Sequence, residues 1–530
     1  MKVKYFLLFF CLPFLSFSQA IKFQSTIGDG NWQTNGIASS TSDGGYIING
    51  STNYSQPSGS IFLMKSDSIG NKLWLKTYAD TSEADASYCI HTMDNGYLLA
   101  GYQYGILLLI KTDINGDTLW VKNNTSGLGA INYIFQSSPW AYFLVYGGGA
   151  VSKIDNMGNM LWTRYYDNGG VLAGRVTSDG GLILCGSHVN PPLYDTTNAT
   201  LIKTDSMGKP QWEKVFGIVN ATNQIGVDVC ITGGGYAFLG TTNWLDTSST
   251  TNQAMVINTD GNGNPLWAKT YGGTFGTQPY HIEAVSGGAT GFVYTLGTYG
   301  ETENNPPPQH SIRTSLLNID INGNYLWGEM YGSMATNKYN SDDFAFNLSR
   351  TKDGGYLLSG ETQSFCKNSG DAGDIWVIKT DGNGISGCNE LQTAITVLTP
   401  TLITTSSTGL GGTENAPFLN TTITIGTWQA KDSLLCPTNN SAVNEITEAN
   451  IFLIYPNPAN GIFTIHIDNV QLPINNCQVS IYNVLGECIH RQICKSENSQ
   501  IDISSSPDGV YFLQLKTEQG IAGKKVVLTR

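Results

Sequence analysis

The residues most regularly placed for chemistry are aspartates in short glycine turns. Asp113-Ile114-Asn115-Gly116-Asp117 and Asp260-Gly261-Asn262-Gly263-Asn264 set oxygen donors at the close spacing of a calcium loop. Calcium needs about six to eight oxygens, and neither segment brings the acidic residue that closes such a loop. An Asx turn, in which the carboxylate accepts backbone N–H groups, accounts for every copy. The six histidines, His91, His188, His281, His310, His466 and His490, are dispersed. None has metal-ligand spacing or belongs to a Ser/His/Asp arrangement. Neither a phosphate-binding loop nor a G-x-S-x-G elbow occurs. The sequence therefore names no catalytic residue, metal or cofactor.

These turns belong to a repeat that recurs seven times. A turn of the Asp-Gly-Gly-Tyr type leads into a Gly-ended apolar strand. A variable loop, a second apolar strand near Lys-Thr-Asp, a tight Gly turn and a Trp follow. In the second unit, Ser87–Met93, Tyr97–Tyr102, Ile106–Asp113 and Thr118–Lys122 read as four antiparallel strands joined by Asp94-Asn95-Gly96, a brief loop and Asn115-Gly116. Four such strands make a propeller blade. The third unit has Ser138-Pro139-Trp140 where the others have a glycine turn. Trp74, Trp120, Trp162, Trp212, Trp267 and Trp327 anchor six units, and the seventh lacks its Trp strand. The N-terminal run Ile21–Gly28 has no preceding unit yet reads like those Trp strands, with Phe23 in the Trp place. If it supplies the missing strand, both defects cancel and two open sheet edges vanish. The expectation is a seven-bladed β-propeller over residues 19–388, closed by the N-terminal strand.

The repeats resemble bacterial surface β-propeller repeats of the DGGY…G…KTD..G…W type. They also look distantly like the tryptophan-docking repeat of quinoprotein propellers. That second resemblance would imply a vicinal Cys pair on a quinone, and no Cys-Cys dipeptide occurs. A propeller fold alone does not specify an activity.

Composition agrees with an exported all-β chain. Of 530 residues 13% are charged, 61 are Gly, and the net charge is −13, which disfavours nucleic acid. Lys2 and Lys4 precede an apolar run from Tyr5 to Phe17, the pattern of a signal peptide over residues 1–18. No later stretch is long and apolar enough to span a membrane as a helix. Cys89, Cys185 and Cys230 fall in repeat strands as small buried thiols. Cys388 and Cys436 flank the region after the last repeat and form the expected disulfide. Cys477, Cys488 and Cys494 have no assigned pairing.

Residues 389–450 are Thr/Ser-rich and read as a small β extension and linker. From 451 to 530 short alternating strands separated by Pro/Asn/Gly turns make a β-sandwich. This region resembles the type A sorting domain of the Bacteroidetes type IX secretion system. The matching residues are Pro456, Asn457, Pro458, Gly461, Phe463, Leu485, Gly486, Gly509, Val510 and Tyr511, with Lys524, Lys525 and Arg530 at the basic end. The resemblance implies recognition by the outer-membrane translocon and its sortase, after passage through the periplasm, and release or surface attachment.

Alternate blade connections lie on opposite faces, so the glycine turns share one face and the long loops the other. Variable loops on a rigid scaffold are where recognition concentrates. Tyr194, Trp244, Tyr280 and Tyr339 are the candidate contact aromatics there. The reading is an exported binding or adhesion scaffold for glycans or proteins. Its rival is a secreted enzyme, polysaccharide-active or quinone-dependent.

Overall fold

The structure, a computed structural model, describes residues 21–28, 33–52, 59–78, 84–125, 128–166, 170–189, 196–243, 252–272, 276–285, 290–301, 310–333, 342–366, 373–393, 395–407, 413–414, 419–421, 425–426, 431–436, 452–467, 478–483, 488–493, 498–504, 506–517 and 520–529. It divides into two compact units, Met1–Thr438 and Asn439–Arg530. Every element is a β-strand among the described residues, and no helix could cross a membrane.

The first unit contains seven five-stranded antiparallel sheets and is propeller-like. Sheet 1 is built from Thr34–Ser40, Tyr46–Thr52, Ser60–Ser66 and Lys72–Tyr78, and sheet 2 from Ala84–His91, Tyr97–Gln103, Ile106–Thr112 and Thr118–Asn124. Sheets 3 to 6 repeat the plan, beginning at Ile131–Ser138, Val171–Val176, Gln224–Ile231 and Thr277–Val285. Sheet 7 takes three strands in order, Asp343–Arg350, Tyr356–Thr362 and Asp374–Thr380, and its fourth is the N-terminal strand Phe23–Gly28. That strand pairs antiparallel with the third, Phe23 facing Lys379 and Thr26 facing Trp376.

Apolar side chains point to both faces of each sheet, so each sheet packs on two others. Leu63 and Ile61 of sheet 1 share a core with Leu99 and Ile110 of sheet 2. Phe23, Ile375 and Val377 of sheet 7 share another with Ala38, Ile48 and Phe62 of sheet 1. The repeated Trp has a definite partner. The ring of Trp74 lies on Gly116 of the next sheet, where a Cβ would fall 2.8 Å from it and φ is +77°. Only glycine combines that backbone with that contact. Trp120, Trp162, Trp212, Trp267 and Trp327 cover Gly158, Gly208, Gly263, Gly323 and Gly384 in the same way, and Phe23 covers Gly70.

The Lys of Lys-Thr-Asp has a second task. Lys65, Lys111, Lys203 and Lys379 are nearly fully buried, and each Nζ pairs with the Asp of its own sheet's first turn, Asp43, Asp94, Asp179 and Asp353. Each also donates to the carbonyl of the following residue. In sheets 5 and 6, whose first turns have no Asp, Asn258 and Asn318 replace the lysine; sheet 3 also lacks the Asp but keeps Lys153, whose Nζ lies 5.2 Å from the Phe143 ring centroid. The second-turn aspartates are occupied as Asx turns require: Asp113 Oδ1 accepts from the amides of Asn115 and Asp117, and Asp260 Oδ1 from those of Asn262 and Asn264.

Residues 390–436 depart from the expected separate extension. They supply the fifth, outermost strand of every sheet, visiting the sheets in reverse order. Glu390–Gln392 pairs with sheet 6, Thr396–Leu398 with sheet 5, Leu402–Ser407 with sheet 4 and Thr413–Glu414 with sheet 3. Leu419–Asn420, Ile425–Gly426 and Lys431–Cys436 continue onto sheets 2, 1 and 7. This belt covers the outer edge that the fourth strand of each sheet would otherwise leave unpaired. Strands of two to six residues suffice: backbone pairing holds them, and Val397, Leu402 and Leu435 add apolar contact with the sheet cores.

In the second unit a three-stranded sheet (Phe452–Tyr455, Ile462–Ile467, Asn498–Asp502) and a four-stranded sheet (Cys488–Ile493, Gln478–Tyr482, Gly509–Thr517, Gly520–Leu528) share one core. Phe463, Ile465 and Ile501 meet Ile481, Leu513 and Val526 there.

Candidate axial binding site

The innermost strand of each of the seven sheets has its register interrupted at the same level. The shifts fall between Thr34 and Ile37, Ala86 and Tyr88, Ile131 and Tyr133, and Val171 and Ala173. The remaining three fall between Gly226 and Asp228, Pro279 and His281, and Ala345 and Asn347. A bulge adds an unpaired residue and re-aims its neighbours. The residues so displaced, Ser87, Asn132, Leu172, Val227, Tyr280 and Phe346, line two adjoining cavities of about 220 and 530 Å³.

The larger cavity also exposes Asp85, Tyr88, Tyr102 and Ile37. Tyr102 lies at the end of the second strand of sheet 2 and the others sit between the start and the middle of the first strands, so the cavity lies at the strand ends from which the long loops depart. Tyr280 and Phe346 meet edge to face, with ring centroids 5.4 Å apart. Aromatic faces beside Ser, Asn and Asp form a surface that can stack on an apolar ring face and hydrogen-bond its hydroxyls.

Beneath the bulge ring lies a charged cluster. Asp228, 1% exposed, receives Arg175 through both oxygens at 3.1 and 3.3 Å. It also accepts the amides of Val229 at 2.8 Å and Ile282 at 3.0 Å. His281 Nδ1 stands 3.3 Å from Asp228 Oδ2, and its Nε2 3.2 Å from Glu283 Oε1. The Arg175 guanidinium lies 4.7 Å from the Tyr133 ring centroid, and Tyr133 packs on Tyr88 at 4.9 Å. Asp228 is thus consumed by structural partners. No group of three or more His, Cys, Asp or Glu able to hold a metal occurs among the described residues.

Of the aromatics expected in the loops, Tyr280 lies within the inner strand Thr277–Val285, at its bulge, and not in an inter-blade loop. There it lines the smaller cavity. Tyr194, Trp244 and Tyr339 lie outside the described residues. Sequence reasoning missed Ser87, Asn132 and Phe346. A one-residue slip in strand alternation was the available signal, and it is weak in sheets with two apolar faces.

Cys89, Cys185 and Cys230 are buried free thiols, and Cys366 donates its thiol to Gln363 O at 3.0 Å. Burial pushes the first three above the usual thiol range. Cys388 is disulfide-bonded.

In the second unit, Pro456 and Pro458 follow cis peptide bonds. Asn457 between them fastens the final strand: its Oδ1 accepts from Val527 N at 2.9 Å, and its Nδ2 donates to Lys525 O at 2.8 Å. Gly461 has φ +113°, and a Cβ there would lie 2.6 Å from Ser504 Cα. The buried Tyr511 donates its hydroxyl to Pro507 O at 2.6 Å. Gly509 opens the strand that carries Tyr511, paired with the strand holding Lys524 and Lys525. The sorting-motif residues are therefore clustered around the last strand. Gly486 and Arg530 lie outside the described residues.

Residues 453–529 match the family described as the secretion system C-terminal sorting domain. The chain carries a type IX sorting domain, and the protein is secreted or placed at the cell surface, attached to the outer membrane. No curated protein matches the sequence. Among solved structures the chain is similar to the extracellular domain of a protein described as a one-component system of B. thetaiotaomicron. Identity there is 10% and the TM-score 0.36, covering 95% of this chain and 57% of that chain. Drosophila Plexin A in complex with Semaphorin 1b gives 7% identity and a TM-score of 0.40, covering 68% and 87%. The Dos1 propeller gives 8% and 0.37, covering 68% and 95%. This chain thus spans a little over half the length of the first of these.

Proposed function

We propose that the seven sheets are blades of a closed ring presenting a ligand-binding axial mouth, carried to the cell surface by the sorting domain. The pairing of Phe23–Gly28 with Asp374–Thr380, and the seat of Phe23 on Gly70, support closure. The ligand reading rests on one observation: bulges in the first strands of sheets 1, 2, 3 and 7 turn an aromatic and polar set into a cavity of about 530 Å³. That set suits a sugar unit, with Phe346 and Tyr88 for stacking and Ser87 and Asn132 for hydroxyl hydrogen bonds. The protein acts as a binder without turnover, and the translocon and sortase recognise the second unit. Cys436 is the disulfide partner of Cys388. Its backbone lies opposite Gln24, and Gln24 Nε2 donates to the Cys388 carbonyl at 2.6 Å.

A glycan array with the purified protein, run beside hydrolase and dye-linked dehydrogenase assays, tests this reading. Retention of a glycan that is lost in Phe346→Ala and in Asn132→Ala is expected. Turnover without retention would replace the binder with an enzyme.

A further inference from the structure

The axis has a second chamber that the mouth does not use. Tyr88, Tyr133, His281 and Asn347 line cavities on both sides of their level, forming a layer across the axis. Beyond it lies a cavity of about 340 Å³ whose other lining residues, among them His91, Met93, Gln136, Glu283 and Ser349, sit late on the inner strands or in the turns that follow. It therefore faces the short-turn side.

Arg175 is matched by Asp228. Glu283 is a second carboxylate, bonded through Oε1 to His281 Nε2. Burial alone would raise the Glu283 pKa. The hydrogen bond from His281 and the charges of His281, Arg175 and the exposed Arg350 outweigh it and hold the carboxyl below its usual range. Glu283 Oε2 has no hydrogen-bond partner among the described residues. The Ser349 hydroxyl is buried without a hydrogen-bond partner. Burial lowers the pKa of His91, and its uncharged ring offers a lone pair while packing on Tyr97. A carboxylate oxygen, a hydroxyl and an imidazole nitrogen thus line the chamber as acceptors. A primary ammonium has three N–H donors and the required sign.

We propose that the short-turn chamber binds a small primary amine, held as its ammonium by Glu283, Ser349 and His91. This site is separate from the glycan mouth, so the two readings stand or fall apart. The test is calorimetric titration of the full chain near neutral pH with n-butylamine, using n-butanol as the uncharged isostere. Wild-type protein should bind the amine with Kd about 1 mM or tighter and the alcohol at least about tenfold more weakly. Glu283→Gln should weaken amine binding about tenfold or more, and Ser349→Ala about threefold. Asn132→Ala, on the opposite side of the layer, should leave it unchanged. If Glu283→Gln does not fold, Ser349→Ala decides, since it leaves the charged cluster in place. Equal binding of amine and alcohol, no amine binding by wild type, or folded Glu283 and Ser349 variants that both bind like wild type would overturn the proposal.

Discussion

Replacing Cys388 by Ser should loosen the first unit through the belt. With Cys436 as its partner, the bridge closes a loop of about fifty residues, and the chain-entropy relation assigns such a loop about 4 kcal/mol. Unfolding entropy of about 2.1 cal/mol/K per residue, over the roughly 400 residues of this unit, turns that into a fall in Tm of about 5 °C. The belt should feel more than this average. Its strands of two residues, Thr413–Glu414, Leu419–Asn420 and Ile425–Gly426, have little pairing of their own. Without the bridge they should open locally well before the sheets they cover. Scanning calorimetry of Cys388→Ser, Cys436→Ser and the double variant reads the first effect, and amide hydrogen exchange across residues 390–436 reads the second. All three variants should lose the same stability, because either change breaks the same bond. A Cys436→Ser protein with wild-type Tm and belt protection, beside a destabilised Cys388→Ser, would show that Cys388 pairs elsewhere and that the belt has no clasp.

Gly208→Ala should cost about 2 kcal/mol or more in urea unfolding, since a Cβ there falls 2.6 Å from the Trp162 ring at φ +74°. Phe23→Ala, emptying a site where the side chain is 1% exposed, should cost about 3–4 kcal/mol in the same assay. Asp94→Ala leaves the ammonium of Lys111 buried without its carboxylate and should cost about 2 kcal/mol, less than a deep pair because Asp94 is 43% exposed. Adding Lys111→Met should recover much of that loss, and additive losses would refute the pairing. Acid stability should fall between about pH 4 and pH 2. For Asp43, hydrogen bonds from Thr41 and Lys65 outweigh burial, and for Asp179 those from Lys203 and Thr177 dominate, holding both carboxyls at about 2. A folded-state pKa below the unfolded one means the unfolded chain takes up protons first, so this stability is complete above the unfolded value and drains away as pH falls through 2. Melting curves in that window should flatten for Asp43→Asn/Asp179→Asn.

Much of the sheet plan was legible because its signals are chemical and periodic. Glycine turns, apolar strands and one Trp per unit recur, and a segment resembling a Trp strand without a unit pointed to a unit lacking one. Phe23 could be read as a stand-in because the Gly beneath needs a flat ring, not an indole N–H. The Asp43–Lys65 type of pairing was present as co-occurrence, with Asn258 and Asn318 in two units that lack the turn Asp and Lys153 as the exception in a third, but a buried lysine looks like any strand lysine until its depth is known. The belt was legible only in part. Thr/Ser-rich residues 389–450 read as a small β extension and linker, but strands of two or three residues carry no signal of which sheet each one joins. The candidate site was harder still: a bulge changes which way Tyr280 or Phe346 points without changing composition.

The position of Phe23–Gly28 bears on how the chain is made. This segment has hydrogen-bonding neighbours on both sides, Asp374–Thr380 and Lys431–Cys436, which emerge from the ribosome more than three hundred residues later. For most of synthesis both its edges must wait unsatisfied, and a chain halted before residue 374 has nothing to zip them to. Final assembly of the seventh sheet thus waits on two late segments, and a chain stopped short of residue 431 leaves it incomplete.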